Sequence, residues 1–433
     1  MEEQMSGNPI TNYLRRNPNF PLTRGLRSTL NAWRGLHADE RGSYSATVSL
    51  NQLLCGGEQG LSAAQYARHT GNLLRGSMPV SKSPHVAFLE EHKRIGEQIF
   101  LKENLEKTGY YNHAVESINT VGEFFQCTHE DQIEGLARQF VQLAKGELPK
   151  DEYARTHHFR PPESVVYVRP IRYSDCFEVV DGLHQLAIAH VEGERQYKVF
   201  VMPPAVLTPL QELVLDSAYC RGNRELYQPI SSPEFNGEWA TIRNCEDRFE
   251  MMRTFLEEHN LLPPNCRTSL DLAFSYGWFV KAFTDLGFEA RGGGEIDWAS
   301  CEVGKRVYGL RDVQLTRSEL VRFLQQDSGR YDIVSCLSIL HHFIIGLPYR
   351  ARISAEEMIR LVDEKTKKVL FLDTGQVHEK WFKESLAGWD PDHIEDWVRN
   401  NTSFTRIFRL GTDNDDVAPF EDCYGRTLFA CMR

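Results

Sequence analysis

Leu270-Asp271-Leu272-Ala273-Phe274-Ser275-Tyr276-Gly277-Trp278-Phe279 is the stretch whose reading decides the fold. The apolar run over 269–274 fits a strand buried on both faces. Gly277 permits a sharp turn and brings the following helix close to whatever lies at the strand end. The first amides of that helix, around Trp278 to Val280, would point at a ligand there, and the positive end of the helix dipole suits a carboxylate. A second strand is predicted over 288–296. Its three glycines, Gly292 to Gly294, make it irregular, and Glu295 and Asp297 stand at its carboxyl end. The segment 296–307 reads as a helix. A third piece, Tyr331-Asp332-Ile333-Val334-Ser335-Cys336-Leu337-Ser338-Ile339-Leu340-His341-His342, is a buried strand that ends in polar residues. Strand, turn, helix, acid-ended strand and polar-ended strand, in that order, place a nucleoside-bearing ligand at the carboxyl ends of a parallel sheet.

This order resembles the class I S-adenosylmethionine-dependent methyltransferases, over about the last two hundred residues. The family's loop has glycine at the positions of Ala273 and Ser275; only Gly277 is retained, and the two replacements are small but disfavour positive φ. The resemblance implies a Rossmann-like seven-stranded domain with S-adenosylmethionine as cofactor. Asp271 would orient the donor's amino group. Ala273, Phe274, Ser275, Gly277, Trp278 and Phe279 would surround its methionine end, with Trp278 or Phe274 as a wall. Glu295 would take both ribose hydroxyls, which a carboxylate can do because both oxygens accept. Asp297 is the second choice for that role, Ile296 lies between them, and a plain helix cap is the competing reading of Glu295. Leu337 and Ser338 would lie beside the transferred methyl group. His341 and His342 follow; imidazole titrates near physiological pH, so one of them is a candidate base, His341 first because it is nearer the strand end. The alternative is that both are structural.

The remaining pattern keeps to the same plan. A helix is expected over 354–363 with Ser354 as cap, a strand over 368–374, a helix over 392–400, and a closing pair over 405–410 and 427–432, whose last strand the resemblance implies to be antiparallel. His378 and Glu379 follow a strand end, where they would line an acceptor pocket or lie in solvent. The pattern around His341 and His342 especially resembles methyltransferases of polysaccharide biosynthesis. The acceptor implied is thus a sugar hydroxyl or phosphate on a glycan or nucleotide-linked sugar. A nucleic-acid methyltransferase and a non-catalytic donor-binding scaffold are the rival readings.

A second resemblance lies upstream. Predicted strands over 165–170 and 177–180 are followed by Asp181-Gly182-Leu183-His184-Gln185, a helix over 186–190 and a strand over 198–202. This resembles the ParB/sulfiredoxin fold, in which Asp-Gly-x-His-Arg opens a helix that binds nucleotide phosphates. Gln185 replaces the arginine, removing the fork that grips phosphate, so triphosphate hydrolysis is not expected. Asp181 and His184 either keep a substrate-binding role or hold the turn. The chain therefore divides into a mainly helical region at 1–160, this small α+β module at 161–230 and the α/β methyltransferase-like domain at 231–433. Helices are expected over 86–95, 99–106, 113–125 and 132–144, and 228–238 is the best linker. Tyr110 and Tyr111 make a polar-aromatic cluster, read first as packing. The alternating arginines and acids of 242–259 read as a solvated helix face.

Composition bounds the function. A length of 433 residues suits two or three domains, and the net charge of −11 argues against a broad nucleic-acid surface. No stretch is long and apolar enough to span a membrane, and the polar opening 1–27 has no signal-like core. The 10 cysteines are scattered without metal-ligand spacing, so no metal is expected and a reducing cytoplasm is the natural compartment.

Overall fold

The computed structural model describes residues 43–57, 62–70, 77–125, 127–148, 166–220, 223–346 and 353–433. The opening segment 1–27 and the residues around the expected boundary at 160 lie outside these. Two compact units emerge, one of 1–212 with 232–238, the other of 213–231 with 239–433. The segment 228–238, expected as a linker, is thus divided between them.

In the first unit five strands, β1 (Tyr44–Ser49), β2 (Leu53–Leu54), β3 (Val166–Pro170), β4 (Phe177–Asp181) and β5 (Gln196–Val201), form one sheet in the order β1-β5-β3-β4-β2. Two of its strands come from the stretch expected to be a separate helical region. The helix Leu183–Val191 explains why that division fails. Leu183, Leu186 and Ala189 pack on the sheet, while Ala187 and Ile188 pack among the helices Pro84–Ile95, Gly109–Val121 and Ile133–Ala144. A helix apolar on both sides must be covered on both. Ser83 caps the first of those helices by accepting from the Val86 amide at 3.2 Å, with Pro84 at its first position.

The second unit opens with a two-residue pairing of β6 (Glu225–Leu226) with β7 (Ala240–Thr241). Its main sheet has seven strands: β8 (Thr268–Leu272), β9 (Glu289–Glu295), β10 (Leu315–Arg317), β11 (Tyr331–Cys336), β12 (Thr366–Leu372), β13 (Arg406–Thr412) and β14 (Thr427–Met432). The order is β10-β9-β8-β11-β12-β14-β13; the first five are parallel, and β14 runs antiparallel between β12 and β13. Alternate residues of β12 feed opposite faces. Leu370 and Leu372 join Met358, Ile359 and Val362 of the helix Ala355–Lys365, whereas Val369 and Phe371 join Phe255 and Phe283 of the helices Glu246–Glu258 and Trp278–Asp285. Strand order reverses between β8 and β11, which opens a crevice at their carboxyl ends.

The glycines of β9 have a packing reason. A Cβ on Gly292 would come within 2.6 Å of the Phe274 ring, and one on Gly293 within 2.2 Å of the Phe323 ring. Both aromatic rings occupy the space that a side chain at those positions would need. Among the described residues no helix is long and apolar enough to cross a membrane, and all ten cysteines are buried thiols.

Candidate active site

At the crevice the second unit holds a cavity of about 690 Å³, lined from β8 by Asp271, Leu272 and Ala273, from the end of β9 by Glu295, Ile296 and Asp297, and after β11 by Leu337, Ser338, Ile339 and His342. Phe279, Arg248, Ala218, Tyr219, Tyr227 and Gln228 complete it. Of the residues expected at the donor, Phe274, Ser275, Gly277 and Trp278 do not line it. Phe274 is buried against Gly292, and the aromatic wall is formed by Phe279 with Tyr219 and Tyr227. Gly277, at φ 85°, starts the helix Trp278–Asp285, whose first amide, that of Trp278, donates to the Gln228 side chain at 3.1 Å.

The loop keeps the backbone of a glycine-rich turn with only one of its glycines. Ala273 and Ser275 have φ of 48° and 52° beside Gly277 at 85°. Each non-glycine residue there costs on the order of 1–2 kcal/mol. Neighbouring bonds hold the shape: the Ala273 amide donates to the Gly293 carbonyl at 2.8 Å and the Ser275 amide to Glu295 Oε2 at 3.2 Å. The side chains did not prevent positive φ, because the pairing with β9 dictates it.

The two acids after β9 separate by role. Asp297 caps the helix Trp298–Val307, accepting from the Ser300 amide at 2.8 Å and its hydroxyl at 2.6 Å. Glu295 is buried and turned inward, accepting from the Tyr219 hydroxyl at 2.7 Å, the Asp297 amide at 2.9 Å and the Ser275 amide. Burial raises its pKa, while these three hydrogen bonds pull the other way. Asp271, at the end of β8, is bonded by the Ser335 hydroxyl at 2.6 Å, and burial pushes its carboxyl up to about 7 against the pull of that bond and of Arg248.

His341 and His342 also part. His341 is buried, and the Gly375 amide donates to its Nδ1 at 3.2 Å. That bond engages the ring's basic lone pair and leaves the proton on Nε2, so His341, the first choice for the base, is not placed to accept a proton. His342 faces the cavity.

Beneath the floor lies a charged network that the sequence pattern hid. Arg243 and Arg248, expected on a solvated face, are 1% and 2% exposed. Arg248 donates to Asp373 Oδ2 at 3.0 Å, and Arg243 to Asp413 at 2.8 Å. Burial would raise the Asp373 carboxyl, but Arg248, Arg243 and Arg426 together hold it below the ordinary range. Asp373 in turn accepts from the Ser338 amide at 2.6 Å, fixing that residue at φ 58° on the cavity wall. Glu379 belongs to this network: it is fully buried and grips Arg426 at 2.9 and 2.7 Å, and Arg426 donates to the Ser338 hydroxyl at 3.0 Å. Its contact with the cavity is therefore indirect. His378 bonds the Tyr424 carbonyl at 2.8 Å and does not line the cavity.

Asp181 and His184 belong to the first unit. His184 is buried, its Nε2 is 2.8 Å from the Tyr110 hydroxyl, and its ring stands edge-on to Phe125 and Phe140, which is the setting of a core side chain. Tyr110 is likewise buried, as its packing role required. Among the described residues no group of His, Cys, Asp or Glu is placed to hold a metal.

The second unit has a seven-stranded sheet, parallel but for β14, with its cavity at the carboxyl ends of β8, β9 and β11. Solved structures similar to this chain include the bifunctional kinase-methyltransferase WbdD, at 16% identity over 52% of this chain and 46% of that one, with a TM-score of 0.40. Others are a SAM-dependent methyltransferase from Archaeoglobus fulgidus (14%, 42% and 94%, 0.29) and magnesium protoporphyrin IX methyltransferase from Synechocystis PCC 6803 with bound SAM (17%, 43% and 80%, 0.30). The chain thus spans less than half the length of the WbdD structure. No family model and no curated protein sequence matches.

Tyr219, Tyr227, Gln228 and Arg248 were not foreseen. For the first three the sequence carries no signal, since they precede the strand order that marks the domain. Arg248 had one, Cys245, Met252 and Phe255 on the same helix, which mark a buried face.

Proposed function

We propose that the second unit is an S-adenosylmethionine-dependent methyltransferase acting on an acceptor oxygen. The supporting observation is the cavity at the ends of β8, β9 and β11, with two buried carboxylates, Asp271 and Glu295, on neighbouring strand ends. Its volume of about 690 Å³ is within the range of small-molecule sites. Two of the residues fit the donor: Glu295 accepts from the ribose and Asp271 faces the ammonium group, whereas the amino end of the helix Trp278–Asp285 lies off the cavity with its first amide held by Gln228. When bound, the donor supplies an electrophilic methyl carbon on a sulfonium.

The protein's own contribution is to orient and to exclude water. Ser338, clamped by Asp373 and Arg426, fixes the wall beside the acceptor, and His342 takes the proton of an attacking hydroxyl. The acceptor is a small polar group, a sugar hydroxyl or phosphate on a glycan or a nucleotide-linked sugar. A net charge of −11 favours this over a nucleic acid. Calorimetry with S-adenosylhomocysteine, followed by methyl-transfer assays on glycan ends, sugar nucleotides and DNA, tests the reading. Absence of donor binding sinks it, and salt-sensitive methylation of DNA alone would move the acceptor.

A further inference from the structure

The proposed ribose acceptor is already crowded. A carboxylate offers about four lone-pair positions, two on each oxygen. Among the described residues three donors reach Glu295: the Asp297 amide takes one position on Oε1, and the Ser275 amide and the Tyr219 hydroxyl take both on Oε2. One position, on Oε1, is left. A ribose diol brings two O–H donors, so gripping both oxygens requires one present donor to leave. The Ser275 amide is held in a loop whose backbone is set by pairing with β9, and the Asp297 amide opens a capped helix. Tyr219 is different in kind. Its hydroxyl is the tip of a side chain with few torsions, stacked on Tyr227 at 4.8 Å and edge-on to Tyr276 at 6.5 Å, and both Tyr219 and Tyr227 line the cavity.

We infer that Tyr219 sets the affinity and ribose selectivity of the donor site by occupying, in the free protein, the Glu295 lone pair that the second ribose hydroxyl takes on binding. This rests on the methyltransferase reading. Tyr219 is a stand-in for a ribose hydroxyl, displaced only by a ligand that carries the complete diol. A nucleoside with one hydroxyl uses the remaining position on Oε1 and leaves Tyr219 in place.

The test is Tyr219→Phe, which keeps the ring and its stacking and removes only the hydroxyl. S-adenosylhomocysteine and its 2′-deoxy analogue are titrated calorimetrically into both proteins. The variant should bind S-adenosylhomocysteine on the order of fivefold more tightly, the worth of one competing hydrogen bond, and the deoxy analogue no more tightly than the wild type does. Equal or weaker binding of S-adenosylhomocysteine by the variant overturns the inference, as does an equal gain for the deoxy analogue, since that gain would come from a looser wall. If the wild type binds and the variant gains nothing, only this inference fails. If neither protein binds S-adenosylhomocysteine, the methyltransferase reading falls with it.

Discussion

Donor binding should release a proton from Asp271, and the size of that effect follows from the site. In the free protein burial holds this carboxyl at about 7, against an ordinary 3.8, so near pH 6 it is mostly protonated. An ammonium group brought against it favours the charged form and drives the proton off. Binding of S-adenosylhomocysteine should therefore weaken roughly tenfold for each pH unit below about 7, with about 0.9 proton released per ligand at pH 6. The ligand's α-amino group ionises near 8, above the window from pH 5 to 7, and the Asp271 variant separates its titration from that of Glu295, which burial also raises. Calorimetry in two buffers of different ionisation enthalpy counts the proton directly. Asp271→Asn should flatten the pH dependence and abolish the release. Stability gives a second readout. A carboxyl raised in the folded state stabilises most below its unfolded value and loses that contribution as pH rises from 3.8 to about 7. The ligand-free wild type thus carries a penalty above pH 7 with an upper bound of about 4 kcal/mol, and the asparagine variant should recover part of it. A donor affinity constant from pH 5 to 7, with no proton exchanged, would refute the assignment of the ammonium group to Asp271.

Glu295→Ala should weaken S-adenosylhomocysteine by about 1–3 kcal/mol, whereas Asp297→Ala should cost about 1 kcal/mol of stability through the lost helix cap and leave affinity near wild type; the reverse pattern would exchange their roles. His342→Ala should lower turnover by ~10²–10⁴ with donor affinity retained, while His341→Ala should act mainly on thermal stability. An unaffected turnover in the His342 variant would remove it as the base. Glu379→Ala leaves Arg426 buried without its partner and should cost about 3–5 kcal/mol in a denaturant melt; a near-neutral result would show that Arg426 finds other partners.

The strand-turn-helix at Gly277, the acid pair Glu295 and Asp297 after β9 and the polar end of β11 were legible because each is local. Hydrophobic period marks a strand, a glycine marks the turn, and a carboxylate one residue past an apolar run must lie at the strand end. Six of the seven strands of the second unit fall where the period put them, within about two residues of their ends, whereas the three-residue β10 was not expected, being too short to show a period. The first unit was read less well. Its sheet joins residues 44–54 to 166–201, and such distant pairing leaves no periodic trace.

By itself the sequence determined six of the seven strands of the second unit and the acids at the crevice, while the antiparallel sense of the last strand was implied by the resemblance. Tertiary structure alone decided which acid faces inward, because Glu295 and Asp297 are chemically alike and only the capping of Ser300 separates them. It also decided that His342 rather than His341 meets the cavity, since the Gly375 amide that engages His341 comes from beyond a distant strand. Arg243 and Arg248 could be recognised as buried only with Asp373, Asp413 and Asp415 around them, for a charge enters a core only beside its partners. The positive φ of Ala273 and Ser275 likewise runs against local preference, and pairing with a neighbouring strand imposes it.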